Sequence, residues 1–181
     1  MFATMPQRRA RLARLHRQRG ASLLEAIAYL GVAALVVLAA VSLLQNAFGS
    51  ARSNQTTEEI TGLRTNVRKM YAGQSYDDAA MLANLVTARA IPGTLTVGAN
   101  NAVTNTWGGA VAVATVDAAS FKITYNSVPQ DVCMNVVSGA MGWTRIADGN
   151  DAHGITVFPA PAASAAALCN AATNTIAFTA N

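Results

Sequence analysis

The stretch Arg19-Gly20-Ala21-Ser22-Leu23-Leu24-Glu25 joins two segments of opposite chemistry. Upstream, Arg8, Arg9, Arg11, Arg14, Arg17 and Arg19 form a basic leader without a single acid. Downstream, the run from Ala26 to Leu44 carries no charge at all. As a helix rising ~1.5 Å per residue it spans roughly 28 Å, enough to cross a bilayer core of about 30 Å. The arginine excess before it predicts a leader on the cytoplasmic face, with the body of the chain on the other side.

The net charge of +4 conceals this division. Beyond Gly20 there remain seven bases, Arg52, Arg64, Arg68, Lys69, Arg89, Lys122 and Arg145, against all nine acids, so the body is slightly acidic. Nucleic-acid binding needs positive charge on the folded surface, and the high isoelectric point belongs to the leader, so no nucleic-acid partner is expected. The two cysteines, Cys133 and Cys169, lie in the exported part and read as one disulfide. Of 181 residues, about 110 remain for a single compact domain after the apolar segment and its continuation.

The apolar run passes without a loop signal into a polar stretch that keeps a helical stripe. Ile60, Leu63, Val67 and Met70 recur at spacings of three and four, with Glu58, Glu59, Arg64, Arg68 and Lys69 on the other sides. No proline occurs between Ser22 and Pro92. The reading is one long helix from Ala21 to near Tyr71, loosened at Gly49 and Gly62, apolar on every face in residues 21–44 and amphipathic in 45–72. Residues 73–181 then form a globular α+β head. A short helix holding Ala80 to Val86, capped by Asp77 or Ser75, ends before Pro92-Gly93. A short strand is expected around Leu95–Val97, and an antiparallel pair at 110–116 and 120–125. Pro129-Gln130-Asp131 opens a helix that buries Val132, Cys133, Val136 and Val137. Strands at 143–146 and 155–158 flank an Asp148-Gly149-Asn150-Asp151 turn, followed by a helix at 162–168 and a last strand at 175–179.

The junction admits several readings from the residues alone. A secretory signal would be cut behind small residues near Ala47 to Ala51, but the apolar run is longer than such signals carry. A plain membrane anchor explains length and charge asymmetry, leaving Glu25 as a carboxylate snorkelling at the membrane edge. Taken in order, basic leader, Gly20, Ser22, Leu23-Leu24 and Glu25 resemble the type IV prepilin signal. The long leader, the absence of a mid-helix proline, and Ile123-Thr124-Tyr125-Asn126-Ser127-Val128-Pro129-Gln130-Asp131-Val132-Cys133 are similar to the type IVb major pilins. That group includes the subunits of bundle-forming and plasmid-encoded conjugative pili.

The resemblance implies the pilin fold: a long N-terminal helix on a mostly antiparallel sheet, with a C-terminal disulfide-bounded region. It implies cleavage between Gly20 and Ala21 by a prepilin peptidase, and methylation of the new Ala21 amine. The subunit would sit in the inner membrane with its leader cytoplasmic, then pass through inner-membrane assembly machinery into a homopolymer on the cell surface. The filament would serve adhesion, aggregation or mating contact. In a water-free fibre core the Ala21 amine and the Glu25 carboxylate each need a partner, so Glu25 is expected to set subunit register. Alanines 26, 28, 33, 34, 39 and 40 allow close helix approach. The Cys133–Cys169 bond reads either as a staple or as the frame of an exposed face that tunes filament contacts.

Enzymatic chemistry finds no support in the sequence. His153 is the sole histidine beyond the leader, and no metal-ligand spacing or Ser–His–acid pattern is present, so neither catalyst, cofactor nor metal is expected. The Asp148–Asp151 oxygens lack the twelve-residue calcium-loop pattern and read as a hairpin turn. Gly108-Gly109 is a turn or bulge rather than a phosphate loop. Trp107 and Trp143 are expected in the core or at a subunit contact. Competing readings are a minor pilin or a secretion-system pseudopilin and, from another class, a singly anchored periplasmic domain.

Overall fold

A computed structural model describes residues 22–181. The leader 1–20 and the expected cleavage and methylation positions, Gly20 and Ala21, lie outside the described residues. The first element is helix α1, Leu23–Met70, which runs 48 residues without a break at Gly31, Gly49 or Gly62. The chain divides into two units at Leu43/Leu44.

In the second unit, α1 presents Ser53, Thr56, Ile60, Leu63, Val67 and Tyr71 inward at helical spacing. Several of its hydroxyl side chains turn back on the helix. Ser53, Thr56 and Thr57 each donate to the carbonyl four residues earlier, at 2.9–3.0 Å. For Ser53 and Thr56, which lie on the buried stripe, this leaves no hydroxyl donor orphaned.

Helix α2, Met81–Thr87, buries Met81 and Leu85. Neither Asp77 nor Ser75 caps it; Asp78 instead accepts the Ala80 amide at 2.8 Å, just before the first turn. Its other carboxylate oxygen receives the Tyr71 hydroxyl at 2.6 Å and the Asn84 amide at 2.8 Å. The Tyr71 bond, with the Ala80 and Asn84 bonds, holds the Asp78 carboxyl below its usual range. This triangle locks the end of α1 to α2.

Six strands follow: β1 Thr96–Val97, β2 Val103–Thr104, β3 Ala110–Asp117, β4 Ser120–Pro129, β5 Arg145–Asp148 and β6 Thr173–Ala180. They form one sheet in the order β1-β2-β3-β4-β6-β5, every pairing antiparallel. Between β4 and β5 lies α3, Gln130–Gly139, and between β5 and β6 lies α4, Ala162–Leu168.

Strand β4 alternates cleanly, with Phe121, Ile123 and Tyr125 buried. Its register against β6 then shifts between Tyr125 and Val128, where Ser127 takes φ +58°. The extra residue of this bulge changes the phase, so Val128 rather than Ser127 returns to the core. Asn105 braces the bulge: its amide donates to the Asn126 carbonyl at 2.8 Å, and its side-chain oxygen accepts the Gly109 and Trp107 amides. Gly109 packs so tightly on Asn126 that a Cβ there would overlap the Asn126 carbonyl.

The expected strand at 155–158 is reduced to one bridge, Ile146 with Ile155. Pro159 and Pro161 close behind it have no amide hydrogen to continue a ladder.

Candidate functional site

The chemistry that sets this chain apart lies at the start of α1. Ser22 is its N-cap. The Glu25 amide donates to Ser22 Oγ at 3.2 Å and to the Ser22 carbonyl at 2.9 Å, and the Ala26 amide reaches the same carbonyl at 3.1 Å. Glu25 is therefore the third helical residue, and Ser22-Leu23-Leu24-Glu25 has capping-box spacing. The carboxylate stands where the helix dipole favours negative charge. Sequence reasoning treated Ser22 only as a small polar residue of the junction; the serine-to-glutamate spacing was the signal that identifies its role.

From Leu23 to Leu44 every large apolar side chain stands bare, 46–81% exposed. Thirteen such residues, at about 1.5–3 kcal/mol each for burial, represent tens of kcal/mol left in water. That exceeds the whole stability of an ordinary domain, so this surface must be covered by lipid or by protein. The segment is long and apolar enough to cross a membrane. Glu25 is the one charge on it.

The second unit holds the rest of α1 on the sheet. Arg64 spans α1 and the loop after α3: its guanidinium lies 4.5 Å over the Trp143 ring and donates to the Gly142 carbonyl at 2.8 Å and the Met141 carbonyl at 3.2 Å. Burial, then the neighbouring Arg68 charge, lowers its pKa from the ordinary value. Trp143 packs in turn on Phe178, 5.1 Å between ring centres. Trp143 thus belongs to the core, while Trp107, on the β2–β3 turn, is half-buried and packs against that core.

Deeper in, Glu59 is buried, 3% exposed, and accepts the Gln55 amide at 2.9 Å. It acts on Tyr125, whose hydroxyl is buried and makes no hydrogen bond of good geometry. Burial first, and then the Glu59 carboxylate, push the Tyr125 pKa well above its usual value. Helical spacing separates Glu59, four residues before Leu63 and at the border of the apolar stripe, from the solvated Glu58 on the opposite side. The sequence reading, which grouped the two, missed this.

Cys133 on α3 and Cys169 behind α4 are bonded, with Cα atoms 5.8 Å apart and both residues fully buried. Gln130 reinforces the join, donating its side-chain amide to the Cys169 carbonyl at 3.0 Å and its backbone amide to Ala172 at 3.3 Å. At the Asp148–Asp151 turn, Asp148 is committed internally. One oxygen accepts the Asn150 and Ala152 amides, and the other meets His153 Nδ1 at 2.7 Å. Among the described residues no group of three or more histidine, cysteine or acidic side chains could hold a metal.

Residues 50–181 match the family model described as PilS N terminal. The chain is also similar to the NMR structure of the type IVb pilin PilS from Salmonella typhi, at 26% sequence identity. That alignment covers 70% of this chain and 94% of the other, with a TM-score of 0.46. No curated protein matches.

Proposed function

From the premise that the chain belongs to the PilS family of type IVb pilins, and so to the subunits of pilus filaments, we propose the following course for it. Residues 1–20 are a leader removed by a prepilin peptidase between Gly20 and Ala21, and the new Ala21 amine is methylated. Residues 21–44 hold the subunit in the inner membrane until assembly machinery there draws it into the filament. Residues 45–72 continue the helix into the head, 73–181, which forms the outer surface of a cell-surface homopolymer serving adhesion, aggregation or mating contact.

The observation that carries this reading is the bare apolar helix with Glu25 as its sole charge. Lipid and a fibre core are similarly apolar, so transfer between them is biased by packing and polar pairing rather than by hydrophobicity. The small residues of the segment allow close contact between helices. In the core, the Glu25 carboxylate is satisfied by the Ala21 amine of a neighbour, which selects one axial step over others. Among the described residues the Glu25 carboxylate takes part in no ion pair, and it stands at the helix end whose dipole favours negative charge.

The test is intact mass and N-terminal analysis of protein sheared from the source cells. A chain beginning at methylated Ala21 and recovered in filaments is the expected result. A chain retaining Arg8–Arg19, or one starting near Ser50, would overturn the proposal.

A further inference from the structure

Resting on the pilin reading above, we infer that a groove along α1 is a charge-matched contact between copies of this chain, at a larger axial offset than the neighbours paired through Ala21 and Glu25. The groove lies between α1 and the segment 88–94 that follows α2. Asn66 divides it by donating to the Ala90 carbonyl at 2.6 Å. The recess on the N-terminal side, about 360 Å³, is walled by Gln55, Glu58 and Glu59 on α1 and by Pro92 to Thr94 opposite. Its exposed charge is the Glu58 carboxylate. The recess on the C-terminal side, about 430 Å³, is flanked by Lys69 and Arg89, both exposed, and contains no acid.

Two features show that these charges face outward with no task inside the fold. Among the described residues, the ion pairs are Arg145–Asp151 and His153–Asp148, and neither involves Glu58, Lys69 or Arg89. Arg89 also ends α2 at φ +55°, its amide on the Val86 carbonyl at 3.0 Å, a left-handed position that glycine or asparagine fills at least cost. An arginine occupies it, and its side chain stands over the groove beside Lys69.

The acidic and basic ends sit at different heights on one rigid helix, so they cannot meet within a copy. Eleven residues separate Glu58 from Lys69, roughly 16 Å of helical rise. A parallel copy turned half a revolution about the axis and displaced along it by about that distance brings its Glu58 opposite Lys69 and Arg89 on the first. The contact uses two different patches and therefore repeats head to tail, as a filament requires. Exposed ion pairs contribute little affinity one at a time. Their effect is on register, because any displacement that sets like charges together is disfavoured at every repeat.

The experiment uses the full chain in its source cells, reading sheared filament per membrane-held subunit, with the Cys133–Cys169 bond checked as a folding control. Glu58→Lys alone, and Lys69→Glu with Arg89→Glu, are each expected to lower filament yield at least tenfold. Combining all three reversals is expected to restore it to within twofold of the parent. Parent-level yield from either partial reversal, or a combination no better than its parts, overturns the contact while leaving the pilin reading intact. A parent chain that yields no filaments at all overturns that reading and the contact with it.

Discussion

Removing the Cys133–Cys169 bond, by changing both residues to alanine, tests whether the C-terminal third of the head is held by covalent closure or by packing alone. The cysteines are 36 residues apart. In the chain-entropy treatment, closing a loop of that size restricts the unfolded chain by about 4 kcal/mol at 25 °C. Both side chains are fully buried, so the gap left by two sulfur atoms adds about 1 kcal/mol. Against a domain stability of about 5–15 kcal/mol this is a large loss. At about 3 °C per kcal/mol for a unit of this size, the melting temperature falls by roughly 15 °C. The assay is thermal and urea unfolding of the full chain in detergent, followed by fluorescence, with Trp143 reporting from beside Phe178. Three results should coincide. The two single variants should match the double one, since each removes the same bond. The parent under reducing conditions, which keeps both sulfur atoms, should fall within about 1 kcal/mol of the double variant, and the urea m-value should rise because the unfolded chain expands. A fall of under about 4 °C, with an unchanged m-value, would refute the loop-closure reasoning and leave packing of α3 on α4 as the restraint.

Other outcomes follow from single contacts. Glu25→Ala should leave leader removal intact but cut filament yield at least tenfold, measured on sheared material; normal yield would remove the register role. Leu63→Ala empties a fully buried site on α1 and should cost about 3 kcal/mol in urea unfolding. Gly109→Ala drives a methyl group into the Asn126 carbonyl and should cost about 2 kcal/mol or more, with the bulge amides losing exchange protection by NMR. At Asp148, the His153 bond and then the Ala152 and Asn150 amides depress the carboxyl pKa. Its contribution is therefore complete above the ordinary aspartate range and lost as pH falls through the depressed value, below about pH 4. His153→Ala should raise the Asp148 midpoint, observable by carboxyl-carbon NMR titration.

Local periodicity revealed those parts of the fold whose partners are near in sequence. The 60-63-67 stripe, the β3–β4 pair around Asp117-Ala118-Ala119, and the Val132-Cys133-Val136-Val137 face of α3 all appear as read. Part of what escaped depends on distant residues. β2 is only two strand-forming residues, Val103-Thr104, set between Asn100-Asn101 and Asn105, too short to show an alternation, and it is held by its pairing with β3. β4 runs to Pro129 rather than ending at Tyr125, since the bulge that restores Val128 to the core is invisible to a strict two-residue alternation. Ser53 and Glu59 continue or border the α1 stripe at helical spacing, but their polar side chains hid this from a reading that tracked apolar residues alone. At the helix start, Glu25 stood out by charge alone, while Ser22 needed the capping geometry to acquire a role.

The place of β6 has a consequence in time. Residues 173–180 lie inside the sheet, hydrogen-bonded to β4 on one side and β5 on the other. During synthesis and export, everything before Thr173 emerges with β4 and β5 still unjoined and the α1 stripe without its full floor. The sheet of a growing subunit is therefore completed only by its last strand, after residues 45–172 have all been made. Until then, unsheltered strand edges make the nascent subunit a target for proteolysis, so the fold itself sorts finished subunits from interrupted ones before any can enter a fibre.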